Sequence, residues 1–390
     1  MTPKTLIPMT LSEARVYHLR APLEKPYRTT FGVMTHRQAV VINLTCAEGF
    51  AGMGESWINF PLWAPWERVA AFTHGIFPMI LGRVIEDIPG FVKEIWNKQY
   101  RAALQSSTLG PLLQAVCAVE IALWDMQGRM CGLPVNKLFS DSSETHVKMY
   151  GSGLNPPFPI DAIQEALDLG IDTFKLKLGY GDDEDKMNIS RLRSILGSEG
   201  KIAVDVNRNW TFDTALQWME YLQDNGIVWL EEPLTIEEQY RYTELHSLSV
   251  IPISAGENFL IPPGNSLVNE GDGGLSLNQS SLALDSIQPS VVKNCCFSDA
   301  LRLMDLAKKQ GKKLWPHFLG SAPGMAATAH LVSLTQNPFL EWDINPNPLR
   351  TAFFTEPFCI RDGYFSLTQK PGLGWDTSEE ILVKWEVKHS

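Results

Sequence analysis

TFKLKLG (173–179), AVDVN (203–207), WLEEP (229–233) and ISAGEN (253–258) are four short apolar runs, each closed by charged residues and a turn. Runs this short, rich in Val, Ile and Leu and bounded by Gly, Asn or Pro, predict buried strands at 172–178, 201–206, 227–232 and 251–256. The pattern extends in both directions. One further strand is expected at 147–152, and three more at 286–292, 313–317 and 339–343. Amphipathic stretches at 159–169, 185–196, 212–225, 297–310 and 324–336 fall between them. Regular alternation of this kind predicts an α/β fold built on a parallel (β/α) barrel of the TIM type, in modified form. The segment IPPGNSLVNEGDGGLSLNQSSLALD (261–285) is rich in Gly, Ser and Asn, so no clean helix is expected there.

The chain before the barrel reads differently. Strands are expected at 12–20, 38–46 and 49–55, then helices at 66–83, 89–103 and 109–130, the last stopped by Gly132-Leu133-Pro134. Strands followed by a run of helices predict an α+β domain over 1–145, the barrel over 146–345, and a C-terminal segment of loops and short strands, 346–390, packing back on the first domain. The 390 residues carry a net charge of −11, which argues against nucleic acid or an anionic membrane as partner. The six cysteines include the adjacent pair Cys295 and Cys296 but no CxxC, so a reduced, cytoplasmic protein is expected. No run of about 18 apolar residues and no signal peptide is expected.

Asp205, Glu231 and Glu257 end three successive barrel strands, 26 residues apart in each case. One βα unit separates each pair, so all three carboxylates belong at one end of the barrel. Any one of them alone is an ordinary strand-end or helix-cap acid. Three anions converging need a cation, and all-oxygen ligands favour Mg²⁺ over Zn²⁺. Lys175 and Lys177 share one face of the preceding strand. Two ammonium groups in a buried strand are costly without a purpose, and mutual repulsion would lower a lysine pKa toward the range of a general base. His317 ends a later strand and Glu341 ends the last.

These residues resemble the enolase superfamily, its mandelate racemase subgroup in particular. The similarity takes in GMGE (52–55), AVEIALWDMQGRMCGLPV (118–135), the KLK, DVN, LEEP and GEN runs, and the late NPLR, EPF, RDGYF and PGLGW segments. The resemblance implies an N-terminal cap over a modified TIM barrel, with the C-terminal segment completing the cap. It implies that Asp205, Glu231 and Glu257 bind Mg²⁺, with Mn²⁺ as substitute, and that Lys177 is the base with Lys175 lowering its pKa. His317 would be base or acid on the opposite face, and Glu341 would donate to the substrate carboxylate. One departure stands out. The family pattern has an Asp on the sixth strand that pairs with the histidine; here QPSVVKN (288–294) puts Ser290 there, with Lys293 downstream. A serine is uncharged, so His317 is expected to be less basic, unless Asp285 approaches from elsewhere. Asn294-Cys295-Cys296 replaces the family's glycines.

The chemistry implied is removal of the proton α to a carboxylate through an enediolate. Return of a proton by His317 gives a racemase or epimerase; expulsion of a β-hydroxyl gives an acid-sugar dehydratase, the reading favoured by a weakly basic His317. A non-catalytic metal-binding relative remains the reading of another class. The substrate is a small carboxylate, with Asn207, Lys293 and Ser290 facing it. Cap loops 24–37 and 56–66 are expected to set specificity. Arg28, His36 and Arg37 are candidates for a distal anion, and Trp57, Phe60, Trp63 and Trp66 for an aromatic wall, an alternative to ordinary packing. Exposed cap aromatics suggest a homo-oligomer.

Overall fold

Long β-branched runs near the N-terminus pair into an antiparallel sheet. Its strands are β1 (Met9–Thr29), β2 (Gly32–Cys46), β3 (Ala51–Ser56) and β4 (Val84–Ile85), in the order β3-β2-β1-β4. The structure, a computed structural model, describes residues 1–264 and 283–388; most of the Gly/Ser/Asn-rich segment expected to lack a clean helix, 265–282, lies outside the described residues. The helix Leu109–Cys131 packs on this sheet. Gly52 and Gly54 permit that contact: a Cβ on Gly54 would lie 1.9 Å from the Ala118 carbonyl oxygen, and one on Gly52 would lie 2.0 Å from that of Ala122. Among the described residues this helix alone is long and apolar enough to cross a membrane, but 83% of its most apolar window is buried inside the protein, as the core helix of the cap. It ends where Gly132 turns left-handed at φ 67°.

The segment 24–37, expected as a loop, is mostly strand. β1 and β2 form a hairpin whose register runs from Leu19 opposite Ala39 to Thr29 opposite Gly32, with an irregularity between Pro22 and Tyr27. The prolines and the terminal Gly32, which read as loop signals, mark that irregularity and the turn instead.

The second sheet carries the barrel strands β5 (His146–Leu154), β6 (Thr173–Lys177), β7 (Lys201–Asp205), β8 (Ile227–Glu231), β9 (Ile253–Ala255), β10 (Ser286–Ile287), β11 (Lys313–Leu314) and β12 (Phe339–Asp343). They run parallel in the order β12-β5-β6-β7-β8-β9-β10-β11. Trp315, just past β11, packs its ring 5.2 Å from that of Phe339 on β12, so side chains bridge the two ends of the series. β10 and β11 are shorter than expected. Pro289 and Pro316 cannot donate to a ladder, and after Pro289 the chain turns so that the backbone amides of Lys293, Asn294 and Cys295 all donate to the Ser290 carbonyl.

The C-terminal segment divides its packing between the two parts. β13 (Cys359–Arg361) and β14 (Tyr364–Ser366) form a hairpin that extends the barrel sheet, with Phe365 opposite Val147 of β5. The helix Glu379–Trp385 lies against the cap, where Glu386 bridges to Leu19 of β1.

Candidate active site

The i, i+2 spacing on β6 puts both lysine side chains on one buried face, and the parallel register sets Lys177 opposite Asp205 and Asp205 opposite Glu231. Glu257 follows β9 by two residues. Lys175, fully buried, donates to Glu231, lies 2.7 Å from Glu341 and lies 3.7 Å from Asp205. Lys177 pairs with Asp205. Across the site, His317 Nε2 stands 2.9 Å from Glu257 Oε2, and Lys293 Nζ stands 2.9 Å from Glu257 Oε1.

Several supporting residues escaped the sequence reading. Gln288 donates to Glu231 Oε2 at 2.6 Å and the Trp229 indole donates to the same oxygen at 3.3 Å. Ser152 Oγ donates to Glu341 Oε1 at 2.5 Å and the Phe318 amide donates to Oε2 at 2.9 Å. The second Glu of LEEP, Glu232, is buried against Arg208 at 3.5 Å and accepts from Asn258 at 2.7 Å. Gln288 was findable, since it shares a strand face with Ser290. Ser152 is an ordinary strand residue until the fold brings Glu341 to it, whereas Trp229 precedes Glu231 by two residues on one face of β8.

Burial disfavours the charge on Lys175, but Glu231 and Glu341 outweigh it and hold the ammonium well above its ordinary pKa. Lys177 is also raised: burial works against it, Asp205 wins, and repulsion from Lys175 only partly offsets that. The downshift expected of a general base is therefore not present in this arrangement. Asp205 and Glu341 are lowered, the lysines overcoming burial. Burial pushes Glu231 up, yet its oxygens accept from Lys175, Trp229 and Gln288, which is carboxylate behaviour. Glu257 is held well below the usual range, with His317 and Lys293 overcoming burial. Glu341, expected as a donor, is an acceptor here.

Over these groups lies a cavity of about 600 Å³. Lys177, Asn207, Arg208, Glu257, Lys293 and His317 line it from the barrel, and Tyr27, Phe31, Met34, Trp57 and Phe60 line it from the cap. Lys293 Nζ sits 4.8 Å over the Trp57 ring. The other candidates lie elsewhere. Arg28 lines a neighbouring cavity of about 720 Å³ and faces Glu184 at 3.8 Å. The ring of His36 meets Thr35 at 2.9 Å and Arg20 at 3.4 Å on β1 and β2. Arg37 is buried on Asp343 at 2.5 Å. Trp63 is largely solvent-exposed and Trp66 packs edge-on against the His18 ring at 4.8 Å. Ser290 is buried, its amide donating to Asn294 at 2.8 Å and its hydroxyl without a partner among the described residues. Asp285 accepts from the Ile253 amide at 2.8 Å and lies 3.3 Å from His246, so it does not replace the missing acid.

The donor set of Asp205, Glu231 and Glu257 suits a hard divalent cation: its ligands are all oxygen, and nearby buried Asn207 Oδ1 accepts no hydrogen bond among the described residues. Among the described residues no three acids close on a single point, because Asp205 turns to Lys177, Glu231 to Lys175 and Glu257 to Lys293 and His317.

Comparison with known proteins bears on this geometry. The mandelate racemase / muconate lactonizing enzyme N-terminal domain matches residues 11–140, and the enolase C-terminal domain-like family matches 160–263 and 279–381. The chain is 29% identical to the L-talarate/galactarate dehydratase of Salmonella typhimurium over 89% of its own length and 82% of the relative's. It superposes on a mandelate racemase/muconate lactonizing enzyme structure from Bordetella bronchiseptica with TM-score 0.82 and 27% identity, covering 96% of this chain and 99% of that one. It also superposes on the Salmonella dehydratase liganded with Mg and L-lyxarohydroxamate, with TM-score 0.78 and 25% identity, covering 98% and 93%. Two domain models that together span most of the chain, over a shared fold, make this protein a member of the enolase superfamily, of the mandelate racemase/muconate lactonizing enzyme type.

Proposed function

We propose that the chain removes the proton α to a carboxylate and dehydrates an acid sugar, a 2,3-dihydroxy acid losing water to give a 2-keto-3-deoxy acid. One observation carries this reading: Lys177 on β6 and His317 beyond β11, with four strands between them in the sheet order, line the same cavity around buried carboxylates. The named relatives include an acid-sugar dehydratase, which supports it.

Asp205, Glu231 and Glu257 would hold Mg²⁺, with Mn²⁺ as substitute, in keeping with the Mg-liganded relative. What the ion supplies when bound is positive charge that relieves Lys177 of Asp205 and polarises the substrate carboxylate. Lys177 Nζ, once it has given up its own proton to solvent and stands as the neutral amine, takes the α proton. Lys175, fixed by Glu231 and Glu341, keeps a second positive charge beside it and opposes its reprotonation. His317 Nε2 delivers a proton to the departing β-hydroxyl, and Lys293 with Trp57 closes the cap side against water. The absent Asp disfavours the second reading, a racemase or epimerase with two matched bases. Exposed Phe31 and Trp63 on the cap, 68% and 63% accessible, support a homo-oligomer, checked by light scattering.

The test is incubation with a panel of sugar acids in D₂O and Mg²⁺. Exchange at the α carbon together with a 2-keto product is expected, lost with EDTA and restored by Mg²⁺. Exchange with inversion and no keto product would make it a racemase or epimerase. No exchange with any acid would leave the non-catalytic relative.

A further inference from the structure

The positive charges that line the cavity lie at its barrel-strand end. These cations stand against buried acids at the strand ends: Lys177 by Asp205, Lys293 by Glu257 and Arg208 by Glu232. Away from the strand ends the lining is apolar or neutral, with Met34, Phe60 and Leu319 beside Thr29, Asn59 and Thr235. Among the described lining residues at that end the one charged side chain is Glu237, an anion. The cap cations singled out from the sequence are engaged elsewhere. Arg28 stacks 4.7 Å over Tyr180 in the neighbouring cavity, His36 faces Arg20, and Arg37 is sealed on Asp343. Residues 265–282 contain no Lys, Arg or His, so their composition adds no cation. A carboxylate at that distal end would be desolvated against apolar walls without a counter-charge, and Glu237 would repel it.

We infer that the substrate is a monocarboxylic sugar acid of the aldonate type, with an uncharged distal end, and that the matching dicarboxylic acid is rejected. The inference rests on the proton-abstraction reading above and narrows its substrate class. It separates this chain from its talarate/galactarate relative, whose named substrates are diacids.

The experiment compares aldonates, their terminal deoxy analogues and the aldarates of the same C2–C5 configuration, with the Mg²⁺-loaded full chain. α-Deuterium exchange and 2-keto product give kcat/KM for each. Monoacids are expected to exceed their aldarates at least tenfold, and Glu237→Gln to narrow that ratio several-fold. An aldarate equal to or better than its aldonate overturns the inference while the proton-abstraction reading stands, and loss of that aldarate activity in Arg28→Ala would show Arg28 reaching in from the neighbouring cavity. A ratio unmoved by Glu237→Gln also counts against it. Exchange with no acid at all sinks both.

Discussion

The lysine side and the histidine side of the site are built to different standards. On the lysine side the charges are held by several partners each, apart from Lys177, which pairs with Asp205. Lys175 meets Glu231, Glu341 and Asp205, and Glu341 and Glu231 are each held by two further donors. On the histidine side, His317 Nε2 meets Glu257 at 2.9 Å, while its buried Nδ1, the Ser290 hydroxyl and the Gln288 side-chain oxygen have no hydrogen-bond partner among the described residues. The difference teaches a division of labour. A group that must remove a proton from a very weak acid needs its field set in advance. A group that only donates a proton to a leaving hydroxyl tolerates a looser ring.

The largest effect should come from the lysine side. Lys177→Met removes the proposed base, and α-proton exchange in D₂O is expected to fall about 10³-fold, with far-ultraviolet circular dichroism unchanged. His317→Asn should abolish the keto product yet leave exchange measurable. If both variants lose exchange equally, the two sides act as matched bases and the contrast fails.

A second, smaller effect tests what holds the histidine side in place. Glu55, buried in the cap, accepts from the Ser321 amide and hydroxyl at 2.7 Å each and from the Gly324 amide at 2.9 Å, pinning the turn just after His317. Glu55→Ala leaves two buried amides unpaired, and unfolding in urea should show a loss of about 3 kcal/mol. A loss below about 1 kcal/mol would mean the turn is held by other contacts.

His330 supplies a contrast within one residue type. Both its nitrogens are engaged, Nε2 with the Leu373 carbonyl at 3.1 Å and Nδ1 with the Asn136 amide at 3.4 Å, and burial lowers its pKa to about 4 from 6.5. The unfolded chain therefore binds the proton more readily between those values, so stability is full above pH 6.5 and falls as pH drops toward 4. At pH 5 the loss should be about 2 kcal/mol from this group. Comparing His330→Asn with the parent in urea at pH 7 and pH 5 checks it: the variant's pH slope should be shallower by that amount.

The lysine side was largely legible in the sequence and the histidine side less so, for a physical reason. Strand periodicity puts Lys175 and Lys177 on one face, and a constant βα repeat puts Asp205, Glu231 and Glu257 at one end; both are local rules. The partner Ser152 becomes visible only when strands distant in sequence converge. The cap was misread at 24–37 for the same reason. A hairpin's prolines and glycine look like a loop until pairing with a partner strand decides, and Arg28 then points to another cavity. Prolines also shortened β10 and β11, which bear directly on how His317 is held.

The smallest expected effect bears most directly on that contrast. The His317 amide donates to the Pro289 carbonyl at 3.1 Å, so Ser290 begins beside the histidine strand, where an acid would serve. Ser290→Asp would put a carboxylate near an unpaired Nδ1 and favour the imidazolium. It would also bury an anion, at a cost in stability that a Ser290→Asn control measures. If the loose histidine is tuned to act as an acid, the aspartate should hold its proton more tightly, slow dehydration by up to about tenfold and let inversion at the α carbon appear. Should Ser290→Asp instead speed the keto product without any inversion, serine would be a tolerated loss rather than the feature that separates the two sides.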